Sequence, residues 1–147
     1  GINMAVILAS SCLLGCECRY KGDGCKCDAL IKLAESNTII GVCPEQMGGL
    51  PTPRDPAERQ GDKVISCAGK DVTKAYTKGA ETALYFAKLN HVDFAVMKAK
   101  SPSCGKGLIY DGTFTGNKIP GNGVTVELLN ANGIPVFTED ELDQLPL

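Results

Sequence analysis

The chain has 147 residues, of which 44% are hydrophobic and 22% are charged, with a formal net charge of −2. This length suits one globular domain with a core that needs no disulfide staples. No basic surface is available for a phosphate backbone, which argues against nucleic-acid binding, and no apolar run approaches the roughly 18 residues of a membrane span. We interpret residues 1–3 as a cloning remnant and residues 4–147 as a single α/β domain.

The first half of the chain alternates strand and helix patterns. Ala5–Ser10 ("AVILAS") and Thr38–Val42 ("TIIGV") are short apolar runs typical of buried parallel strands, and Asp28–Ser36 between them predicts a helix. Pro44–Asp62 is rich in proline and glycine and long for a connector, which is typical of a functional loop. Val64–Cys67 predicts a weaker strand.

The second half continues the alternation. In chain order it predicts a helix at Thr73–Asn90 that Asp71 or Thr73 caps, a strand at Phe94–Ala99, a small hairpin within Lys106–Gly123, a helix at Val124–Asn132, a strand at Ile134–Thr138 and a last helical turn at Asp140–Leu145. The whole pattern predicts an α/β fold in which helices flank a mostly parallel sheet, with the site at the carboxyl ends of the strands.

The eight cysteines need an explanation. "MAVILASSC" lacks the basic start and the long apolar segment of a secretory signal, so we interpret it as a strand and expect a cytoplasmic protein. Thiols stay reduced in that compartment. Metal binding or thiol chemistry is therefore favoured over a disulfide framework.

Three cysteines share a position just after a predicted strand. Cys12 follows "AVILAS", Cys43 follows "TIIGV" and Cys104 follows "FAVMKA" within the tight loop "KSPSCGKG". Since parallel strands end at one edge of a sheet, these thiols are expected to converge if their strands are close in the sheet. Three thiolates suit a soft metal and leave one coordination position open, and the alternative is a metal-free cleft lined by reduced cysteines.

The other cysteines carry weaker signals. Cys16, Cys18, Cys25 and Cys27 form a CxC…CxC array that allows a second, zinc-binding site, although CxC spacing is not typical of zinc. Cys67 alternates with apolar residues and is predicted to be a core residue.

Several polar and small residues lie beside the three thiols in sequence. Glu45 is a candidate general base or a solvated acid, and Ser101 and Ser103 are candidate donors to a ligand or turn-forming serines. Gly48 would let backbone approach a ligand. Arg54 would clamp an acidic or carbonyl group of a substrate, or pair with Asp55 or Glu58. The single histidine lies at the far end of a helix, which argues against a Cys–His nucleophile.

Long motifs across the chain resemble a family of small bacterial proteins that includes thiouracil desulfidases. They are "SSCLLGCECRYKG", "VCPEQMGGLPTPRDPAE", "GKDVT", "KAKSPSCGKGLIYDGTFTG" and "GNGVT", and together they run from Ala5 to about Phe137. The resemblance implies a [4Fe-4S] cluster bound by three cysteines, with a fourth iron left open to take the sulfur of a thio-heterocycle such as 2-thiouracil. It implies replacement of C=S by C=O with release of sulfide and no net redox change.

Mapped by motif, the resemblance implies that Cys12, Cys43 and Cys104 are the cluster ligands. It implies that Glu45 and Ser101 are the acid–base pair, with Cys18 a nearby thiol that is not a ligand. A small-molecule substrate is implied, without a nucleic-acid or membrane partner. A cluster-dependent hydratase or dehydratase, a metal or cluster carrier and a metal-free thiol-redox protein remain the alternatives.

Overall fold

The computed structural model describes residues 4–147, so the predicted cloning remnant at residues 1–3 lies outside the described residues. The described chain has eight strands: β1 (Val6–Ser10), β2 (Thr38–Val42), β3 (Ala57–Gln60), β4 (Lys63–Ser66), β5 (Phe94–Met97), β6 (Leu108–Tyr110), β7 (Lys118–Pro120) and β8 (Val136–Thr138). Its α-helices are α1 (Asp28–Lys32), α2 (Pro44–Met47), α3 (Thr73–Leu89) and α4 (Val124–Ala131). Three 3₁₀ segments, Ser11–Leu14, Leu33–Glu35 and Glu139–Gln144, complete the elements.

A four-stranded parallel sheet forms the centre of the fold, in the order β2-β1-β5-β8. These are the four strands that the apolar runs predict, although β5 and β8 are shorter than their runs. Ser10 pairs with Val42 and Ala9 pairs with Val96, so β1, β2 and β5 end at nearly the same height. The chain segments that follow these three strands therefore begin side by side.

Residues of each central strand alternate between the two faces of the sheet, as the pleat requires. Leu8 and Ala95 face a core completed by α3 and α4, whereas Ile7 and Phe94 face a core completed by α1 and the 3₁₀ segments. Both faces are covered, which explains why β1 and β5 are continuous apolar runs without polar alternation. The predicted α/β class is confirmed.

The helical spacing of Tyr76, Ala80, Ala83, Leu84 and Ala87 in the sequence predicts one apolar stripe along α3. Four of these five residues are buried on one face, and Leu84 is half-buried. The Asp71 carboxylate accepts a hydrogen bond from the Thr73 backbone N–H at 2.9 Å, which satisfies one of the free donors at the helix start. None of the helices in residues 4–147 is long and apolar enough to cross a membrane.

The predictions for the loop regions are partly wrong and partly confirmed. Residues 44–62 are not a structureless loop, because they contain α2 and β3. Val64–Ser66 of the predicted weaker strand lie in β4, which pairs antiparallel with β3 in a separate two-stranded sheet. Cys67 follows that strand and is exposed rather than in the core. The hairpin predicted within Lys106–Gly123 is confirmed as β6 and β7. Its long connection carries the Asp111-Gly112 turn.

Candidate active site

The three cysteines that follow strands line one cavity of about 510 Å³ at the carboxyl edge of the sheet. Cys12 lies in the 3₁₀ turn after β1, Cys43 is the residue before α2, and Cys104 lies in the loop after β5. Cys12 and Cys104 are buried and Cys43 is half-buried. The structure thus brings together three thiols that are up to 92 positions apart in sequence, because β2, β1 and β5 are neighbours.

A fourth thiol, Cys18, is buried against this group and lines the same cavity. A hydrogen bond with the Cys12 thiol raises the pKa of Cys18 to about 11, and the contact with Cys18 together with burial raises the pKa of Cys43. Burial raises the pKa of Cys104 to about 12. Without a bound cation the thiols of Cys18, Cys43 and Cys104 are protonated at neutral pH, and a metal group would convert its ligands to thiolates.

The remaining cysteines do not join this group. Cys16 and Cys67 are exposed, and Cys25 and Cys27 are half-buried outside the cavity wall. Within residues 4–147 no three His, Cys, Asp or Glu side chains are placed to share a single metal ion, which gives no support to a zinc site in the CxC array. A multi-iron cluster sets a different requirement, because each thiolate binds its own iron and the sulfur atoms stand farther apart.

Glu45 lies in the first turn of α2 and points its carboxylate at the cavity. Its Oε1 accepts hydrogen bonds from the Tyr76 hydroxyl at 2.5 Å and from Arg54 Nε at 3.3 Å. Its Oε2 has no partner among the described residues, and it is not buried. One carboxylate oxygen is therefore fixed by the protein while the other is available to a ligand or a water molecule.

Arg54 pairs with this carboxylate and not with its sequence neighbours Asp55 or Glu58, so that alternative is wrong. Its Nη2 donates to the Cys18 backbone carbonyl at 2.9 Å, and its side chain is only 5% exposed. Arg54 lines the cavity, yet its described contacts are structural. It ties the helix that carries Glu45 to the loop that carries Cys18.

The two serines of "SPSC" are placed differently. Ser101 lines the cavity, and its Oγ accepts from the backbone N–H groups of Ser103 and Cys104 at 3.1 and 2.9 Å. Because the oxygen is the acceptor in both contacts, the hydroxyl hydrogen remains able to donate to a ligand. Ser103 is fully buried away from the cavity wall, and its hydroxyl is bonded to Thr125 at 2.8 Å. This placement corrects the prediction that Ser103 contacts substrate, because its hydroxyl interacts instead with Thr125 and with the Cys104 thiol.

Gly48 also has a packing role, which corrects the prediction that it approaches a ligand. A Cβ at Gly48 would overlap the backbone of Ala75 in α3, and a Cβ at Gly79 would overlap the backbone of Pro44 in α2. The two glycines let α2 and α3 pack backbone to backbone. This close approach carries Glu45 to within hydrogen-bonding distance of Tyr76.

Other cavity residues were not identified from sequence. They include Ser10, Glu58, Lys98, Lys100, Tyr110 and Phe114. Tyr76 was predicted only as part of the buried stripe of α3, since a helical pattern does not show which neighbour a hydroxyl reaches. The motif "GTFTG", which contains Phe114, was the one sequence signal for this part of the wall.

Comparison with known proteins identifies the family. A family model described as 2-thiouracil desulfurase matches residues 7–141. The chain belongs to this family. A solved structure of a [4Fe-4S]-dependent thiouracil desulfidase, TudS, is 44% identical to this member, with a TM-score of 0.89 over 96% of this chain and 95% of that chain. An uncharacterized protein of Bacillus subtilis (strain 168), YbbK, is 42% identical over 95% of this chain and 99% of its own length.

These findings confirm the family resemblance and the fold that it implied. The donor set of the cavity also fits an iron–sulfur cluster, because its buried soft ligands are thiols held on three separate segments. No histidine lines the cavity within the described residues, so thiolate is the only soft ligand on its wall.

Proposed function

We propose that this chain is an iron–sulfur-dependent desulfidase that converts the C=S group of a small thiolated heterocycle, such as 2-thiouracil, to C=O. Water supplies the oxygen, sulfur leaves as sulfide, and no electrons are gained or lost overall. The observation that carries the proposal is the cavity itself: three strand-end thiols and a carboxylate with one free oxygen line it together, in a member of the 2-thiouracil desulfurase family.

Cys12, Cys43 and Cys104 are proposed to hold a [4Fe-4S] cluster, since they are the thiols anchored at the ends of three neighbouring strands. A cluster with three protein ligands has one iron that supplies a soft Lewis acid for the substrate sulfur. Cys18 is proposed to remain a neighbouring thiol. It contacts Cys12 and Cys43, and three thiol ligands leave one iron of the cluster open for the substrate, which a fourth would not.

Glu45 is the proposed general base. Its fixed Oε1 leaves Oε2 to accept a proton from the attacking water, and Tyr76 and Arg54 keep the carboxylate oriented during that transfer. Burial and the adjacent carboxylate raise the pKa of Tyr76, so its hydroxyl stays a donor to Glu45. Ser101 is the proposed donor to a ring nitrogen or oxygen of the substrate, through the hydroxyl hydrogen that its described contacts leave free.

The geometry favours this reaction over the alternatives. A metal or cluster carrier needs no general base beside its thiols. A thiol-redox protein needs two thiols rather than three on separate segments of one cavity wall. The family match likewise favours a desulfidase over a hydratase or dehydratase. The wall also carries three aromatic side chains, Tyr20, Tyr110 and Phe114, which suit a planar substrate.

The test is an anaerobic assay of reconstituted protein with 2-thiouracil, in which uracil and sulfide are both quantified. We expect equal amounts of the two products. Glu45→Ala should lower kcat by roughly 10²- to 10⁴-fold at unchanged iron content, and Glu81→Ala on the exposed face of α3 is the matched control. Full activity in Glu45→Ala would overturn the base assignment, and no sulfide from wild type would overturn the proposed function.

A further inference from the structure

Phe114 is an unusual residue of the cavity wall. Of the large apolar side chains that are exposed within residues 4–147, it is the one that lines the cavity, and it is 37% exposed. An exposed aromatic ring on a surface loop is common, but one directed into a ligand-sized cavity is available for contact with an apolar ligand. Its exposure also argues against a purely structural role, since the ring fills no part of the core.

The connection between β6 and β7 holds this ring in place. Phe114 has a positive φ of 58°, a conformation that is uncommon for a bulky residue. The Glu58 carboxylate of β3 stabilises it, because Oε1 accepts from the backbone N–H groups of Gly112 at 2.9 Å and Phe114 at 3.2 Å. The Gln60 side chain donates to the Gly112 carbonyl at 3.0 Å. The loop is thereby fixed to β3.

The three aromatic rings of the wall differ in what lies against them. The Tyr20 ring has the Lys21 ammonium 5.7 Å from its centroid, and the Tyr110 ring has the Lys118 ammonium 5.4 Å from its centroid. Of the three, Phe114 is the ring that has neither a cation nor another aromatic ring against either face among the described residues.

We infer that Phe114 is the platform on which the planar ring of the substrate stacks, and that Glu58 positions this platform. The inference rests on the proposed function and extends it, because it assigns recognition of the heterocycle to the hairpin connection and recognition of the sulfur to the thiols. It also defines the substrate class as flat heteroaromatic thiones. Stacking on an aromatic side chain does not depend on the ring's exocyclic groups, so several thiolated pyrimidines should bind.

The first experiment separates binding from turnover. Phe114→Ala in reconstituted protein should raise KM for 2-thiouracil by about tenfold to a hundredfold and change kcat by less than about threefold, since the lost contact exists in both ground state and transition state. Phe114→Tyr should restore most of the affinity. A KM for Phe114→Ala within twofold of wild type would overturn the inference.

The second experiment uses a readout that does not depend on activity. The chain contains no tryptophan, so Phe114→Trp introduces a single indole at the proposed platform. Titration with 2-thiouracil, and separately with uracil, should quench its fluorescence to saturation. Tyr85→Trp is the matched control, because Tyr85 is 61% exposed and lies on α3 outside the cavity wall. Equal quenching of both variants would overturn the inference.

The third experiment tests Glu58 as a positioning residue. Glu58→Ala should raise KM as Phe114→Ala does, whereas Glu58→Gln retains an oxygen acceptor for the two N–H groups and should remain near wild type. The double variant Glu58→Ala with Phe114→Ala should be no worse than Phe114→Ala alone, because both changes remove one contact. Additive losses would show that Glu58 acts elsewhere.

The proposed function and the stacking inference fail in different ways. Saturable quenching of Phe114→Trp by 2-thiouracil, without sulfide release by wild type, would support the platform and overturn the desulfidase. Sulfide release by wild type, with Phe114→Ala unaffected, would support the desulfidase and overturn the platform.

Discussion

Six of the eight cysteines of this chain fall into two groups that differ in sequence spacing and in position. Cys16, Cys25 and Cys27 lie within twelve residues of one another, yet none of them lines the cavity, although their neighbour Cys18 does. Cys12, Cys43 and Cys104 are far apart in sequence and line one cavity. The cysteines that are close together in sequence lie in a loop outside the cavity wall, whereas those that are far apart in sequence line the cavity together.

The difference follows from what each cysteine is attached to. A cysteine that follows a buried parallel strand inherits that strand's position, so its location is fixed by the sheet. A cysteine in the loop between the first 3₁₀ turn and α1 has support mainly from backbone hydrogen bonds, such as those from Cys25 N–H to the Cys12 carbonyl and from Cys27 N–H to the Leu13 carbonyl. Support from strands therefore predicts convergence better than sequence density does.

The largest effect is expected from replacing the strand-end cysteines one at a time. Cys12→Ser, Cys43→Ser and Cys104→Ser should each lose the cluster, whereas wild type should hold about four irons and four sulfides per chain after anaerobic reconstitution. Cys16→Ser and Cys25→Ser are the matched controls and should retain both. Iron that depends on the controls instead would reverse the contrast between the two regions.

A close backbone contact between α2 and α3 supports the cavity region. Gly79→Ala should destabilise the protein by about 1–3 kcal/mol, because the new methyl group would overlap the Pro44 backbone and force α2 away from α3. Alanine favours helix by about 1 kcal/mol, so a net loss would show that the overlap dominates. Thermal unfolding measures this, with Lys78→Ala on the exposed side of α3 as the control. An unchanged melting temperature would contradict the packing role.

The protonation of the buried thiols gives a pH dependence. The raised pKa of Cys104, about 12, means that the thiol holds its proton at neutral pH and that only a small fraction is thiolate, the ligand form. As long as the pH stays below the pKa, the thiolate fraction grows about tenfold with each unit by which the pH rises. The initial rate of cluster insertion, followed by iron absorbance, should therefore rise from pH 6.5 to 8.5. A flat profile would show that thiol deprotonation does not limit assembly.

The smallest effect concerns the anchor of the loop that carries Cys104. Lys106 Nζ contacts both carboxylate oxygens of Glu141 at 2.8 and 2.9 Å and is the main cause that lowers the pKa of Glu141. A lowered pKa contributes stability above the ordinary value of 4.5 that is lost as the pH falls through the folded value. Since the pair is partly exposed, the contribution is about 1 kcal/mol or less.

Glu141→Gln should accordingly lower the melting temperature at pH 7. This difference from wild type should disappear as the pH falls below the pKa of Glu141. Asp143→Asn, an exposed carboxylate of the same 3₁₀ segment, is the control. A difference between wild type and Glu141→Gln that persists unchanged well below pH 4 would contradict the ion pair as its cause.

Much of the fold was predictable because its signals are local. The apolar run Thr38–Val42 has the same bounds as β2, and the stripe of α3 is buried as its spacing predicts. The prediction of a core position for Cys67 failed because alternation predicts a strand face without showing that the strand lies in a peripheral hairpin. The prediction of a long loop at residues 44–62 failed because a helix of four residues, such as α2, is too short to show helical periodicity in the sequence.

The sequence by itself determined the parallel sheet, the three thiols at its carboxyl edge and the family, because apolar runs and long motifs are written in consecutive residues. The tertiary structure alone decided the partners of those groups. Tyr76 and Arg54 reach Glu45, and Glu58 holds the Phe114 loop, through contacts between segments whose orientation depends on how helices and hairpins pack. Packing geometry depends on pairs of surfaces, so no single segment encodes it.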